Sequence, residues 1–262
     1  MHLLLCVEVG NTNTVFSLMK EDELVGSFRM SSRTHRTSDE FVMALTYFFA
    51  SQHLTSDDVD DVIICSVVPE VMHAMRSAVV KLWHKEAMVV GPGIRTGISI
   101  RADNPKAIGT DRIVNAAAVH ALYQGDCIVV DFGTATTFDY VDPEGIFRYT
   151  IIEPGVAICA NALKYETAKL PGIEIEKPKK ILAKDTVSGI QAGVVYGYIG
   201  SVEAILTQMK KELKKPDCHV VATGGLGRVI APEVKMIEAY DPHLAAKGLR
   251  MIYDLNRKGV QH

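Results

Sequence analysis

Glu8-Val9-Gly10-Asn11-Thr12-Asn13-Thr14 follows the apolar run Leu3–Val7, and the chain repeats this arrangement in its middle. There Asp131-Phe132-Gly133-Thr134-Ala135-Thr136-Thr137 follows Ile128-Val129-Val130. Each copy is an apolar strand that delivers a carboxylate, then a glycine, then small hydroxyl or amide residues. The chain turns apolar again at Val15-Phe16 and at Phe138–Val141, so each copy reads as strand, tight turn, strand. Glycine lets a backbone approach a ligand closely, and turn amides with Thr and Asn side chains suit phosphate oxygens. A carboxylate beside such a turn repels phosphate unless a cation lies between them. Two such hairpins predict a nucleotide cleft between two duplicated domains.

Working outward, the first half predicts a meander of Leu3–Val7, Thr14–Leu18 and Leu24–Met30, with 20–23 as a turn. A helix follows over Asp39–Ser51 with Ser38 as cap, then a strand at Val62–Val67, a helix from Pro69 to Val80 and a strand at Ala87–Val90. A link over 101–105 leads to an Ala- and Val-rich helix from Ile108 to Tyr123. The second half repeats the order: strands at 127–131, 136–141 and 146–152, helices at 155–168 and 186–215, and a strand at Cys218–Ala222 that ends in Thr223-Gly224-Gly225. Pro242–Asn256 has helical spacing and could pack on either half. The expectation is an α/β chain of duplicated ribonuclease-H-like (actin-like) domains over 1–118 and 119–262. A dinucleotide-binding Rossmann start is excluded, because no GxGxxG precedes a helix and strand follows Gly10.

Composition narrows the function classes. A net charge of −3 and the lack of a basic, aromatic-rich run argue against nucleic acid. Leu3–Val7 is too short for a signal peptide or membrane span, so a cytoplasmic protein with no membrane partner is expected. Cys6, Cys65, Cys127, Cys159 and Cys218 match neither zinc nor CxxC spacing. All but Cys159 lie in or beside apolar strand-like runs and read as core thiols.

The segments VGNTNT, GTDRIVNA, DFGTATTFD and VATGG, in this order, closely resemble the type III pantothenate kinase family, over essentially the whole chain. That family belongs to the acetate kinase, sugar kinase, Hsp70 and actin superfamily. The resemblance implies phosphorylation of pantothenate by ATP, with Mg²⁺ and a monovalent cation (K⁺ or NH₄⁺), in a homodimer. It places the nucleotide phosphates on Glu8, Val9, Gly10, Asn11, Thr12, Asn13, Thr14 and Val15, with Thr134 from the other half, and adenosine near Gly224 and Gly225. It implies a pantothenate loop at Gly109, Thr110, Asp111 and Arg112, with Asp111 as general base and Thr186 as a further contact. Asp131 corresponds to the monovalent-cation ligand and Glu8 to a Mg²⁺ position.

The residues themselves bear on several of these roles. Asp111 at a helix start is stabilised by unpaired N–H groups and stays ionised, yet it can accept a proton from an attacking hydroxyl. Arg112 offers a planar fork for a substrate carboxylate; the alternative is a simple cap with Arg112 paired to it. Asp131 ends a buried strand and must be paired or coordinated. Thr186 could simply cap the helix it begins. For a dimer, Ile190, Val194, Val195, Tyr198 and Ile199 form an apolar stripe, which packing within one subunit explains equally well.

Three positions depart from the family pattern. Glu8 replaces the usual Asp and moves the carboxylate by about 1.5 Å. Ala102 stands where a tyrosine usually lines the pantothenate site. Tyr149 and Thr150 replace a Gly-Gly pair, with Glu153 following. These departures leave two other readings open: a nucleotide-binding regulatory or weakly active homologue, or a kinase for another small hydroxy acid.

Overall fold

The computed structural model describes residues 2–32 and 35–257, which divide into two compact units. Of the described residues, the first unit takes those up to Ser99, Asp103–Ala118 and those from Leu244 onward. The second takes Ile100–Ala102 and Val119–His243. In chain order the elements begin β1 (Leu3–Val9), β2 (Asn13–Lys20), β3 (Glu23–Ser31), α1 (Ser38–Ser51), β4 (Asp61–Ser66), α2 (Pro69–Trp83), β5 (Met88–Val89), β6 (Ser99–Ile100) and α3 (Thr110–Leu122). They continue β7 (Cys127–Phe132), β8 (Ala135–Val141), β9 (Ile146–Pro154), α4 (Val156–Glu166), α5 (Thr186–Leu213), β10 (His219–Thr223), α6 (Gly227–Ile230), β11 (Ala239–Tyr240) and α7 (Leu244–Arg257).

In the first unit the sheet order is β3-β2-β1-β4-β5, with β1–β3 an antiparallel meander and β4 and β5 parallel to β1 and β4. β1 is apolar at every position except Glu8 because both faces of the sheet are covered. Leu3, Leu5, Val7 and Val9 pack in one core with Phe41 and Leu45 of α1 and Met75 and Val79 of α2. Leu4 and Cys6 pack in a second core with Val114 and Ala117 of α3 and Leu249 and Ile252 of α7. Each fully buried Leu or Ile contributes about 1.5–3 kcal/mol. Strand alternation puts Glu8 on the face of Leu4 and Cys6, which is the face α3 covers. α7 is fastened by Tyr253 donating to Asp61 and by Asn256 donating to the Arg95 carbonyl at 2.8 Å.

In the second unit the order is β11-β10-β7-β8-β9-β6, with β7–β9 antiparallel and β10 and β11 parallel to β7 and β10. The run β9-β8-β7-β10-β11 thus has the same order and directions as β3-β2-β1-β4-β5. Its core joins Ile128, Val130, Phe132, Phe138 and Tyr140 to Val156 of α4 and Val195, Tyr198, Val202 and Leu206 of α5. No helix among the described residues is long and apolar enough to cross a membrane.

Some local expectations are corrected. The cap of α1 is Thr37, not Ser38: Thr37 accepts from the Glu40 amide at 3.3 Å, and Glu40 accepts from the Thr37 amide at 2.7 Å. That reciprocal pair requires a hydroxyl three residues before the Glu. α3 begins at Thr110 rather than Ile108, because Pro105–Ala107 forms a tight 3₁₀ turn and Ile108 is extended. Of the two readings left open for the α5 stripe, packing within the subunit holds: Val195 and Tyr198 are buried, and Val194 and Ile199 pack against their core. Gly193, Gly197 and Gly200 lie on the exposed side.

Candidate active site

In the first unit the β1–β2 turn is closed by Gly10 N donating to the Asn13 carbonyl at 3.0 Å. A Cβ at Gly10 would sit 3.2 Å from that oxygen, so the bare backbone is what lets the turn close. β3 braces it: Ser32 N donates to the Thr12 carbonyl at 2.9 Å, and the Thr14 and Ser32 hydroxyls meet at 2.8 Å. Asn11 and Asn13 project exposed, Thr12 and Val15 are half-buried and Thr14 is buried. Thr14 therefore holds the hairpin together rather than facing outward.

Glu8, the residue before that turn, and Asp111, in the first turn of α3, form a carboxylate pair although they are distant in sequence. Burial first, and the charge of Asp111 second, push the Glu8 carboxyl up to about 7, while Arg29 pulls it down. Burial first, and then the same two carboxylates, raise the Cys65 thiol, which is paired to Glu8 in the β1–β4 register.

Around Asp111 the backbone is closely fitted. Gly109 gives its carbonyl to Ile113 N at 3.2 Å, the first bond of the helix. A Cβ at Gly109 would overlap the Asp111 carboxylate and stand 3.1 Å from Val67 Cγ1. The Arg112 amide donates to Asp111 Oδ1 at 2.8 Å. Thr110 donates its hydroxyl to the Ser66 carbonyl at 2.9 Å and accepts from the Ser66 amide at 3.2 Å. Ser66 in turn accepts from Val68 N at 3.1 Å, and Val67 N donates to the Val9 carbonyl at 3.0 Å. The ends of β1 and β4 and the start of α3 are therefore joined in one hydrogen-bonded patch.

In the second unit Asp131 and Thr223 are register partners on β7 and β10, which brings the two glycine turns together. Gly224, at φ +89°, lies against the Asp131 carboxylate and the Phe132 backbone, and a Cβ there would overlap both. Tyr240 donates to the Gly224 carbonyl at 2.9 Å. Gly155 lies against the Gly133 and Thr134 carbonyls, where a side chain would not fit. Gly133, Thr134 and Gly225 are exposed. Sequence reasoning missed Asp139, which is buried on the same face of the β7–β8 hairpin as Asp131 and accepts from Thr137 at 3.3 Å. Its only sequence signal is the two-residue alternation from Thr137. Tyr198, read from the sequence only as part of an apolar stripe, also reaches Thr136 Oγ1 at 2.6 Å and the Pro154 carbonyl at 3.0 Å with its hydroxyl from α5.

The remaining positions are placed separately. Thr186 is the exposed first residue of α5 and does not cap it; Asp185 does, accepting from Ser188 N at 2.9 Å. Ala102 is half-buried just after β6. Tyr149 stacks on Tyr140 with ring centroids 6.0 Å apart, and lines a cavity of about 600 Å³ with Arg148, Met209, Glu212 and Leu213.

The donors suit hard cations. Glu8 and Asp111 are two carboxylates that repel one another, a repulsion that a divalent ion between them would relieve, and Asp131 sits in a cradle that only a glycine leaves open. Among the described residues no cluster of three or more His, Cys, Asp or Glu forms a metal site built from side chains alone.

Comparison with known proteins adds a second line of evidence. A family profile described as type III pantothenate kinase matches residues 4–208. A type III pantothenate kinase of Agathobacter rectalis is 46% identical over 260 residues, covering 99% of this chain and 100% of that one. Those of Bifidobacterium longum subsp. infantis and Listeria innocua are 45% and 44% identical, over 98% and 97% of this chain and 100% and 98% of theirs. Among solved structures, a Campylobacter jejuni protein assigned to a Baf family of transcriptional activators superposes with TM-score 0.59 at 18% identity, covering 97% of this chain and 99% of that one. The ethanolamine utilization protein EutJ of Carboxydothermus hydrogenoformans gives 0.57 at 15%, covering 96% and 90%. These two likenesses concern the fold alone. With a profile spanning most of its length and relatives aligned nearly end to end, this chain belongs to the type III pantothenate kinase family.

Proposed function

We propose that this chain transfers the γ-phosphoryl group of ATP to pantothenate, giving 4'-phosphopantothenate, the first step of coenzyme A biosynthesis. The observation that carries the reading is that the strand end bearing Glu8 and the helix start bearing Asp111 are joined by hydrogen bonds through Ser66 and Val67, so that the charge of Asp111 bears on Glu8 beside a glycine turn. Asp111 accepts the proton of the pantothenate hydroxyl as it attacks, and Arg112 beside it takes the substrate carboxylate. Gly109 and Thr110 shape that loop, with Thr186 and Ala102 as further substrate positions. The turn residues Gly10–Asn13 and Thr134 take the phosphates, with Thr14 holding the hairpin behind them, and Gly224 and Gly225 take the adenosine. Glu8 would hold Mg²⁺ and Asp131 a monovalent cation (K⁺ or NH₄⁺); their chemistry is neutralisation of phosphate charge in an in-line transfer. The repeated strand order supports reading the units as duplicated ribonuclease-H-like domains. The protein acts as a cytoplasmic homodimer in this reading.

The deciding experiment incubates purified protein with ATP, Mg²⁺, K⁺ and pantothenate and weighs the product by mass spectrometry. Phosphopantothenate supports the reading. ATP binding without product supports a regulatory homologue instead, and phosphorylation of a different hydroxy acid moves the substrate assignment. Light scattering gives about twice 28.7 kDa for a dimer.

A further inference from the structure

We infer that Thr110 is a positioning residue for Asp111 and not a ligand of the substrate, an inference that rests on the proposed kinase reading. The Thr110 hydroxyl is engaged as donor and as acceptor by the backbone of one residue, Ser66. It donates to the Ser66 carbonyl at 2.9 Å and accepts from the Ser66 amide at 3.2 Å. A hydroxyl has one proton to give, and here that proton is directed at the end of β4. Ser66 is itself immobilised, because its hydroxyl accepts from Val68 N at 3.1 Å and the next amide, Val67 N, is tied to Val9 of β1 at 3.0 Å. Thr110 thus clips the first residue of α3 to the strand ends that carry Glu8. On its other side Gly109 leaves the Asp111 carboxylate the space that a Cβ would take. The clip and the cradle together set where the carboxylate stands relative to β1, and a displacement on the order of 1 Å of such a group lowers turnover about 100-fold.

The test compares Thr110→Val, which keeps the branched shape and loses both bonds, with Thr110→Ser, which keeps the hydroxyl. In Thr110→Val, kcat is expected to fall about 10- to 100-fold. The KM for pantothenate, and its affinity measured calorimetrically with a non-hydrolysable ATP analogue, should stay within about twofold. Thr110→Ser should recover turnover to within about threefold of wild type. Circular dichroism and melting temperature show that each variant is folded; if Thr110→Val is not, Thr110→Ala takes its place with the same expectations. A rise in pantothenate KM with kcat unchanged overturns the inference and makes Thr110 a substrate ligand. Unchanged kinetics also overturn it, as does a Thr110→Ser protein no better than Thr110→Val. A wild-type protein that does not phosphorylate pantothenate refutes the kinase reading itself, a result distinguishable from all of these.

Discussion

Replacing Glu8 by Gln should make the protein more stable and less active, with a stability gain that depends on pH. In the native state the Glu8 carboxyl is pushed from 4.5 to about 7, by burial and then by Asp111. Its native value lies above its unfolded one, so the native state holds a proton that the unfolded chain releases. Stability therefore falls as pH rises through the window from about 4.5 to about 7, and the penalty is constant above it. At about 1.4 kcal/mol per tenfold change in proton affinity, the ceiling at pH 8 is on the order of 3 kcal/mol. Glu8 is half-buried rather than sealed, and solvent screening and relaxation of Asp111 reduce the expected value to about 1–3 kcal/mol. Gln has the same shape and no charge, so it removes the penalty. At about 2–4 °C per kcal/mol the melting temperature should rise by several degrees at pH 8. The assay is thermal unfolding of wild type and Glu8→Gln from pH 4.5 to 8.5, with chelator present and nucleotide absent. The two curves should converge at the acid end and separate up to pH 7. A gap of the same size at every pH, or a wild type that is the more stable at pH 8, refutes the electrostatic reasoning. The same variant should lose at least about tenfold in turnover if the carboxylate serves the metal. Full activity would leave its hairpin as a cradle of backbone and hydroxyls.

Asp111→Asn should lower kcat by about 10²- to 10⁴-fold, the usual worth of a general base, with nucleotide affinity by fluorescence titration held within a few-fold. Wild-type turnover in that variant would remove Asp111 from the mechanism. Asp131→Asn should abolish the dependence of rate on K⁺ concentration while lowering the rate, and if both stay unchanged Asp131 holds no cation. Gly224→Ala combines a backbone at φ +89° with a Cβ driven into Asp131 and Phe132; it should cost roughly 2 kcal/mol or more by denaturant midpoint. Tyr198→Phe removes the bonds to Thr136 and the Pro154 carbonyl, and a loss of about 1–2 kcal/mol is expected in the same measurement. An unchanged midpoint would mean that water replaces the hydroxyl.

Two of the departures from the family pattern have a definite place in the structure. Glu8 keeps a carboxylate within reach of Asp111's charge despite its extra methylene. Tyr149 belongs to the second unit, where it stacks on Tyr140 across β8 and β9 beside a cavity that Met209, Glu212 and Leu213 of α5 also line. Thr150, its neighbour, is an exposed residue paired with Asp139 on β8. The two substituted positions thus lie in regular strand, where neither Tyr nor Thr is strained.

What the sequence determined by itself was everything with a local signature. The carboxylate-glycine-hydroxyl turns at Glu8 and Asp131 could be read from composition and spacing, and so could the apolar run that delivers Asp131 near a strand end. Where local signals competed, the reading slipped by a residue or two: Thr37 and Ser38 are both good caps, and only the reciprocal bond with Glu40 chose between them. β6 and β11, two residues each, carry no period to detect. Tertiary structure decided everything that depends on what lies opposite. An apolar stripe on α5 says that something covers it, and only packing showed that Val195 and Tyr198 meet the sheet of their own unit. The proton affinity of Glu8 is invisible along the chain, because its neighbours Val7 and Val9 do not set it. It arises when β1 and α3 fold together and bring a second carboxylate, Asp111, up to a half-buried first one, where water screens their repulsion poorly.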